Sequence, residues 1–312
     1  MRPTIRSDEP AARFRVSPGE AGRADQVVKA RFPGIGRRRV AELFRRGAVH
    51  IDGRRAKKGE PVASGSEMVV LEAPRDHRAA VPPPNYDLDL TVLYEDRDVV
   101  AVNKPGGLPC HPLRPEERNT VAHALVARYP ECASTAGDAR EAGLVNRLDI
   151  GTSGILVAAR HAEAWRVLRQ SFSRGQAIKM YWALVGTTAV RATTCDLPLT
   201  SAGKRMTVLA RAGARTQSAW TRWRPARHLA GYTLLACITH TGRRHQVRVH
   251  LAQAGLPIVD DVLYRGPSAP LPIAGHFLHA RSIALAHPIS GARLHLVAPL
   301  LADRQALLDS LG

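Results

Sequence analysis

Aromatic residues are scarce in this chain: Phe, Trp and Tyr make up 5% of its 312 residues. A core must therefore be filled by Leu, Val, Ile and Ala, and the 45% apolar composition supplies enough of them. No apolar run approaches the roughly 20 residues that a membrane-spanning helix needs. Met1 to Arg23 is polar and proline-spotted, without the apolar stretch of a signal peptide. These absences predict a soluble, cytoplasmic protein with no membrane association. Cysteine is rare too, and Cys110, Cys132, Cys195 and Cys237 are far apart in sequence. That spacing excludes a zinc knuckle or a redox CxxC pair and predicts reduced thiols packed as small apolar groups.

What the chain has in excess is positive charge. The formal net charge is +18, which points to a polyanionic partner, most simply nucleic acid. Only six of the 45 basic residues are Lys, so a bias toward Arg codons is a competing explanation of the total. The distribution argues against bias alone. Residues 1 to 60 hold 16 Arg and Lys against seven Asp and Glu, a net of +9 and half of the whole excess.

Four segments are expected: a flexible tail over 1–23, a small basic domain over 24–72, a linker over 73–88 and one large domain over 89–312. The linker is marked by Pro82-Pro83-Pro84, since consecutive prolines stiffen the chain and keep it out of sheet and helix. In the small domain, Val40, Leu43 and Phe44 fall at i, i+3 and i+4 and predict a helix over Arg37–Arg46. Arg37, Arg38, Arg45 and Arg46 lie largely off that stripe. Gly47 suits the left-handed position that ends a helix. Ala48 to Ile51 alternates like a strand, Asp52-Gly53 is a hairpin-turn pair, and Arg54, Arg55, Lys57 and Lys58 follow. This order resembles the S-four RNA-binding domain, named after a small-subunit ribosomal protein, over about Ala24 to Leu71. The resemblance rests on Gly36-Arg37-Arg38-Arg39-Val40-Ala41-Glu42-Leu43 and on Gly47 through Gly53. It implies that Arg37, Arg38, Arg45, Arg46, Lys57 and Lys58 grip phosphates, which gives affinity without sequence choice. A solvated basic helix without a ligand is the plainer alternative.

The large domain mixes strand-like and helix-like segments. Val99–Val102, Ile155–Ala159, Tyr181–Val185 and Tyr232–Ile238 read as strands. A helix capped by Asn119 or Thr120 runs to Arg128, and further helices cover Ala162–Phe172 and His245–Ala254. Mixed elements with many turns indicate an α+β or α/β sheet domain.

Three stretches carry candidate chemistry. The first is Gly143 to Gly154, where Asn146-Arg147-Leu148-Asp149 precedes Gly151-Thr152-Ser153-Gly154 in a turn between two apolar segments. Turns of this kind present side chains to substrates, although Asp before Thr-Ser-Gly also serves as an ordinary turn residue. The second is Lys179 to Gly186, where Tyr181 shares a strand face with Ala183 and Val185. The third is Thr239 to His250, rich in Arg, His and Gln that bind phosphate or carboxylate. His240, His245 and His250 are five residues apart, share no helical face and have no Asp or Glu among them, which argues against a metal site.

Taken together the three stretches resemble the RluA-like family of pseudouridine synthases. Asn146 through Gly154 is similar to the family's catalytic-aspartate motif, Lys179-x-Tyr181 to its tyrosine motif and Thr241 through His250 to its arginine motif. Val102-Asn103-Lys104-Pro105-Gly106-Gly107-Leu108, Gly255 through Ile258, Asp261 through Tyr264, Leu278-His279-Ala280 and His287-Pro288 extend the similarity over about 89–300. One departure stands out: the family usually has His where this chain has Asn146.

The resemblance implies an α+β catalytic domain with a mixed, mainly antiparallel sheet, preceded by the small α/β RNA-binding domain. It implies isomerisation of uridine to pseudouridine in ribosomal or transfer RNA, with no cofactor and no metal. It assigns Asp149 as the catalytic carboxylate, Arg248 as its ion-pair partner, and Tyr181 as a base or a stacking platform. Arg147 would help to extrude the nucleotide. Asn146, Arg243, His245, Gln246 and Lys104 are expected at the RNA. A monomer without an obligate protein partner is the expected state. Two other readings compete: a non-catalytic RNA-binding or ribosome-assembly factor, and a nucleosidase. The nucleosidase would normally need two carboxylates, and the three stretches offer only Asp149.

Overall fold

The Val40, Leu43 and Phe44 stripe does what its spacing predicts: all three are buried in the core of an N-terminal unit. The computed structural model describes residues 10–32, 35–72, 81–114, 116–135, 138–213 and 216–312, without the side chain of Arg38. The chain divides into two compact units, Met1–His77 and Arg78–Gly312.

In the first unit the elements are β1 (Ala12–Arg15), β2 (Gly22–Arg23), α1 (Ala24–Arg31), α2 (Arg37–Arg46), β3 (Val49–Ile51), β4 (Arg54–Arg55), β5 (Pro61–Val62) and β6 (Glu67–Val70). Four of the strands form an antiparallel sheet in the order β1-β6-β3-β4. Gly47 ends α2 at φ 75°, and Asp52 and Gly53 turn the β3–β4 hairpin at φ 48° and 77°. Two positive φ values in a two-residue loop match the twist of the flanking strands. The expected tail over 1–23 needs correction in its described part. Ala12–Arg15 pairs with Glu67–Val70 as the edge strand, with Ala12 and Phe14 turned to the core. Of the expected linker over 73–88, residues 73–80 lie outside the described residues. Asn85 is bonded to the second unit, its N–H donating to the His123 carbonyl and its side chain to that of Asn119.

The second unit contains β7 (Thr91–Glu95), β8 (Val99–Lys104), α3 (Val121–Arg128), β9 (Ser153–Ala159), α4 (Ala162–Ser173), β10 (Ile178–Val185) and β11 (Thr193–Cys195). It continues with β12 (Leu199–Ala202), β13 (Arg205–Val208), β14 (Thr221–Leu229), β15 (Tyr232–Thr239), α5 (Gln246–Gln253), β16 (Leu278–Ala286), β17 (Arg293–Val297) and α6 (Ala302–Ser310). Its main sheet runs β11-β14-β15-β10-β16-β9-β8-β7, with β17 also paired to β16. Every pairing is antiparallel except that of β9 with β16. This is the α+β architecture expected. Strand β8 differs from its expected length: it continues through Asn103 and Lys104, both buried.

The parallel join of β9 and β16 positions the segment from Asp149 to Gly154. Ser153 lies opposite His279, and Gly154 opposite Ala280. A Cβ on Gly154 would stand 2.3 Å from the Ala280 carbonyl oxygen, and its φ of 110° is closed to other residues, so the join requires glycine here. Two hydrogen bonds tie the join: Thr152 Oγ1 to His276 Nε2 at 2.8 Å and Ser153 Oγ to His279 Nδ1 at 2.8 Å. Among the described residues no helix is long and apolar enough to cross a membrane.

Burial pushes both His276 and His279 down to about 4. The unfolded chain takes up their protons near the ordinary value of 6.5. More protons are then bound unfolded than folded, so stability falls as pH drops through this window. The unfolding midpoint is expected to fall between about pH 7 and about pH 5, and to fall less in a His276→Gln, His279→Gln double variant. An undiminished fall in that variant, measured by thermal denaturation, would assign the acid sensitivity to other groups.

Candidate active site

Asp149 sits in the turn that enters β9, with its carbonyl accepting from Thr152 N–H at 3.0 Å. A buried cation on each of two neighbouring elements fixes the residues that follow. Lys104 Nζ, at the end of β8, donates to the carbonyls of Pro105 (2.8 Å), Leu108 (2.8 Å) and Ile150 (3.0 Å). Arg304 Nη2, on α6, donates to the carbonyls of Gly151 (3.3 Å), Ala274 (2.8 Å) and His276 (3.1 Å). Both cations are wholly buried.

The Asp149 side chain projects into a narrow pocket, 24% exposed. Helix α5 brings Arg248 to it, with Nη1 donating to Asp149 Oδ2 at 2.7 Å. The same guanidinium forks onto Asp261, Nε to Oδ2 at 2.7 Å and Nη2 to Oδ1 at 2.8 Å. Asp261 is almost fully buried. Burial works against the charge on Arg248, but its bonds to Asp261 and its attraction to Asp149 outweigh that and raise its pKa. Burial likewise opposes ionisation of Asp261, and the bonds from Arg248 overcome it and hold the carboxyl below its ordinary value. Two carboxylates therefore share one guanidinium.

His245, at the left-handed entry to α5 (φ 55°), points Nε2 at Asp149 Oδ1 from 3.9 Å. Its Nδ1 is 3.0 Å from the Tyr264 hydroxyl. Burial lowers the pKa of His245 despite the attraction of Asp149, so the ring is neutral at pH 7. Tyr181 reaches the pocket from β10, just after a bulge against β16. Bulges re-aim side chains in this way. Burial, reinforced by Asp149, raises the phenol pKa far above its ordinary value, so Tyr181 is uncharged. Arg147 is exposed beside the pocket and forms no ion pair among the described residues. Arg243 is also exposed, with Nε donating to the Ser218 carbonyl at 3.0 Å.

Of the residues selected from sequence, the fold thus gathers Asp149, Tyr181, Arg248, Arg147, Arg243, His245 and Gln246 around one pocket. Three expected RNA contacts are engaged within the protein. Lys104 has all three N–H donors occupied by carbonyls and no exposed surface. Gln246 is committed on both ends of its amide: Oε1 accepts from Thr241 and from Arg243 N–H, and Nε2 donates to Trp220 and Thr221. Asn146 bridges to β9, accepting from Val157 N–H at 2.8 Å and donating to the Ile155 carbonyl at 3.3 Å. In the first unit Arg45 pairs with Glu42 and Arg46 with Glu72, whereas Arg37, Lys57 and Lys58 stand exposed. The Arg38 side chain lies outside the described residues. Asp261 went without a role in the sequence reading. Two acids, Asp260 and Asp261, follow the apolar run Leu256-Pro257-Ile258-Val259, and nothing local tells which of them is buried.

Residues 98–253, which carry the Asp149, Tyr181 and Arg248 elements, match the family described as RNA pseudouridylate synthase. The chain belongs to that family. It is 34% identical to a ribosomal large subunit pseudouridine synthase D of Xylella fastidiosa, over 95% of this chain and 91% of that protein. It is 36% identical to an RNA pseudouridine synthase of Chloroflexus aurantiacus, over 93% and 90%. Among solved structures, human RNA pseudouridylate synthase domain containing 4 superposes with a TM-score of 0.55 and 25% identity, covering 71% of this chain and 92% of that one. An RNA pseudouridine synthase isomerises uridine in RNA: the bond from ribose C1′ to uracil N1 breaks, C5 bonds to C1′, N1 gains a hydrogen and C5 loses one.

Replacing Lys104 by Met strands three buried carbonyls and should cost roughly 2–4 kcal/mol of stability. RNA affinity of the folded variant should stay unchanged. Weaker RNA binding at an unchanged unfolding midpoint would return Lys104 to the RNA-contacting set.

Proposed function

We propose that this pseudouridine synthase acts on uridine in large-subunit ribosomal RNA and that Asp149 is its reacting carboxylate. The observation that carries the proposal is the 2.7 Å bond from Arg248 to Asp149 at the pocket. A cation at this distance gives a carboxylate in a confined site its charge partner. It engages only Oδ2, and Oδ1 receives no hydrogen bond from any described residue. The free oxygen is the one that meets the nucleotide, whether it attacks the sugar or the ring or takes a proton from the sugar.

Tyr181 packs beside the uracil as an uncharged ring. A role as base requires it first to lose a proton, which burial and the charge of Asp149 both oppose. A uridine in folded RNA must be turned out of its stack before a pocket can enclose it. Arg147, exposed and unpaired beside Asp149, is placed to occupy the gap. The neutral His245 keeps a second positive charge away from Asp149. The basic first unit serves as an S-four-like RNA-binding domain, with Arg37, Lys57 and Lys58 among its exposed cations. No step calls for a metal or a cofactor. The enzyme works as a cytoplasmic monomer in this reading.

The choice of ribosomal RNA follows the names of the relatives from Xylella fastidiosa and Xanthomonas campestris. Pseudouridine mapping of total RNA from cells with and without the gene tests it. Sites in large-subunit ribosomal RNA should disappear with the gene and return on complementation. Loss confined to transfer RNA would overturn the substrate assignment.

A further inference from the structure

We infer that Asp261 is a positioning residue for the isomerisation, one that holds Arg248 so that a single donor reaches Asp149 and the second Asp149 oxygen stays free. The inference rests on the reading of Asp149 as the reacting carboxylate.

A guanidinium facing a lone carboxylate tends to close a fork, two parallel N–H bonds onto both oxygens. Such a fork on Asp149 would occupy both of its oxygens. In this structure the fork is closed on Asp261 instead, through Nε and Nη2, and only Nη1 is left for Asp149. The charges agree with the geometry. Two carboxylates and one guanidinium leave a net negative charge, and Asp261, at 1% side-chain exposure, is the carboxylate with no access to substrate. Asp149, at 24%, is the one that has it.

The segment carrying Asp261 is itself built to stay put. Asp261 caps the short helical turn Val262–Tyr264, accepting from Tyr264 N–H at 3.3 Å. Its N–H donates to the Ile258 carbonyl, and its carbonyl accepts from Gly266 N–H at 2.9 Å. Tyr264 closes the arrangement from the other side. Its ring lies 5.2 Å from the Arg248 guanidinium carbon. Its hydroxyl accepts from Met206 N–H at 2.9 Å and stands 3.0 Å from His245 Nδ1. One short turn therefore orients both residues that face the two Asp149 oxygens.

The test uses the full-length enzyme and a ribosomal RNA transcript labelled with tritium at uracil C5, whose release reports the exchange of C5–H for C5–C1′. In Asp261→Asn, nearly isosteric but without the charge, the single-turnover rate should fall roughly 10- to 100-fold while RNA affinity stays within about twofold. Asp261→Glu should recover part of the rate, because it restores the charge one methylene out of place. In an Arg248→Lys background, where one ammonium cannot bridge both carboxylates, Asp261→Asn should cost little more. An equal loss in both backgrounds, or a wild-type rate in Asp261→Asn, would overturn the positioning role. Should Asp261→Asn not fold, Asp261→Glu decides: a reduced rate at unchanged RNA affinity supports the role, and a wild-type rate overturns it. Failure of the underlying reading shows separately, as normal turnover by Asp149→Asn.

Discussion

One guanidinium between two carboxylates sets the geometry of this molecule. Arg248 is nearly buried, so its charge needs partners, and removing one partner of a buried ion pair typically costs about 3–5 kcal/mol. Asp261 and Asp149 meet that need from opposite sides. The arrangement demands that three distant parts of the chain converge: the turn before β9, helix α5 and the turn at Asp261. The large sheet brings them together through the parallel contact of β9 with β16 and the antiparallel run β16-β10-β15.

The segment around Asp149 is held by polar groups placed where apolar ones would be cheaper. Lys104 and Arg304 are wholly buried and bind the carbonyls of Ile150 and Gly151, while His276 and His279 bind Thr152 and Ser153. Burial lowers Lys104 to about 8, a measure of how strongly the site disfavours its charge. Each of these groups costs desolvation, offset by hydrogen bonds. What the arrangement secures is direction: the four consecutive residues after Asp149 are tied to β8, to α6 and to the segment that runs into β16, so its backbone is fixed from several sides.

Much of this was legible in the sequence where the signal is local. The stripe of Val40, Leu43 and Phe44, the Asp52-Gly53 turn and helix α4 follow from periodicity and turn chemistry alone. The Asp149, Tyr181 and Arg248 motifs located the pocket. Long-range pairing was not legible, because nothing near Ser153 in sequence indicates His279 as its strand partner. The same limit explains the residues engaged within the protein. Lysine is almost never fully buried, so the sequence around Lys104 suggests a surface contact and gives no sign of its three carbonyl partners. Gln246 and Asn146 read as binding groups because their backbone partners lie on other elements. Strand β1 is different: Ala12-Arg13-Phe14-Arg15 carries the alternation of a half-buried strand, and the polar, proline-spotted surroundings masked it.

All of the proposed chemistry passes through one carboxylate. The direct measurement is tritium release from C5-labelled ribosomal RNA by purified Asp149→Asn, alongside its affinity for the same RNA. Normal binding and no release above background are expected. Release within about tenfold of the wild-type rate would show that Asp149 is not the reacting group.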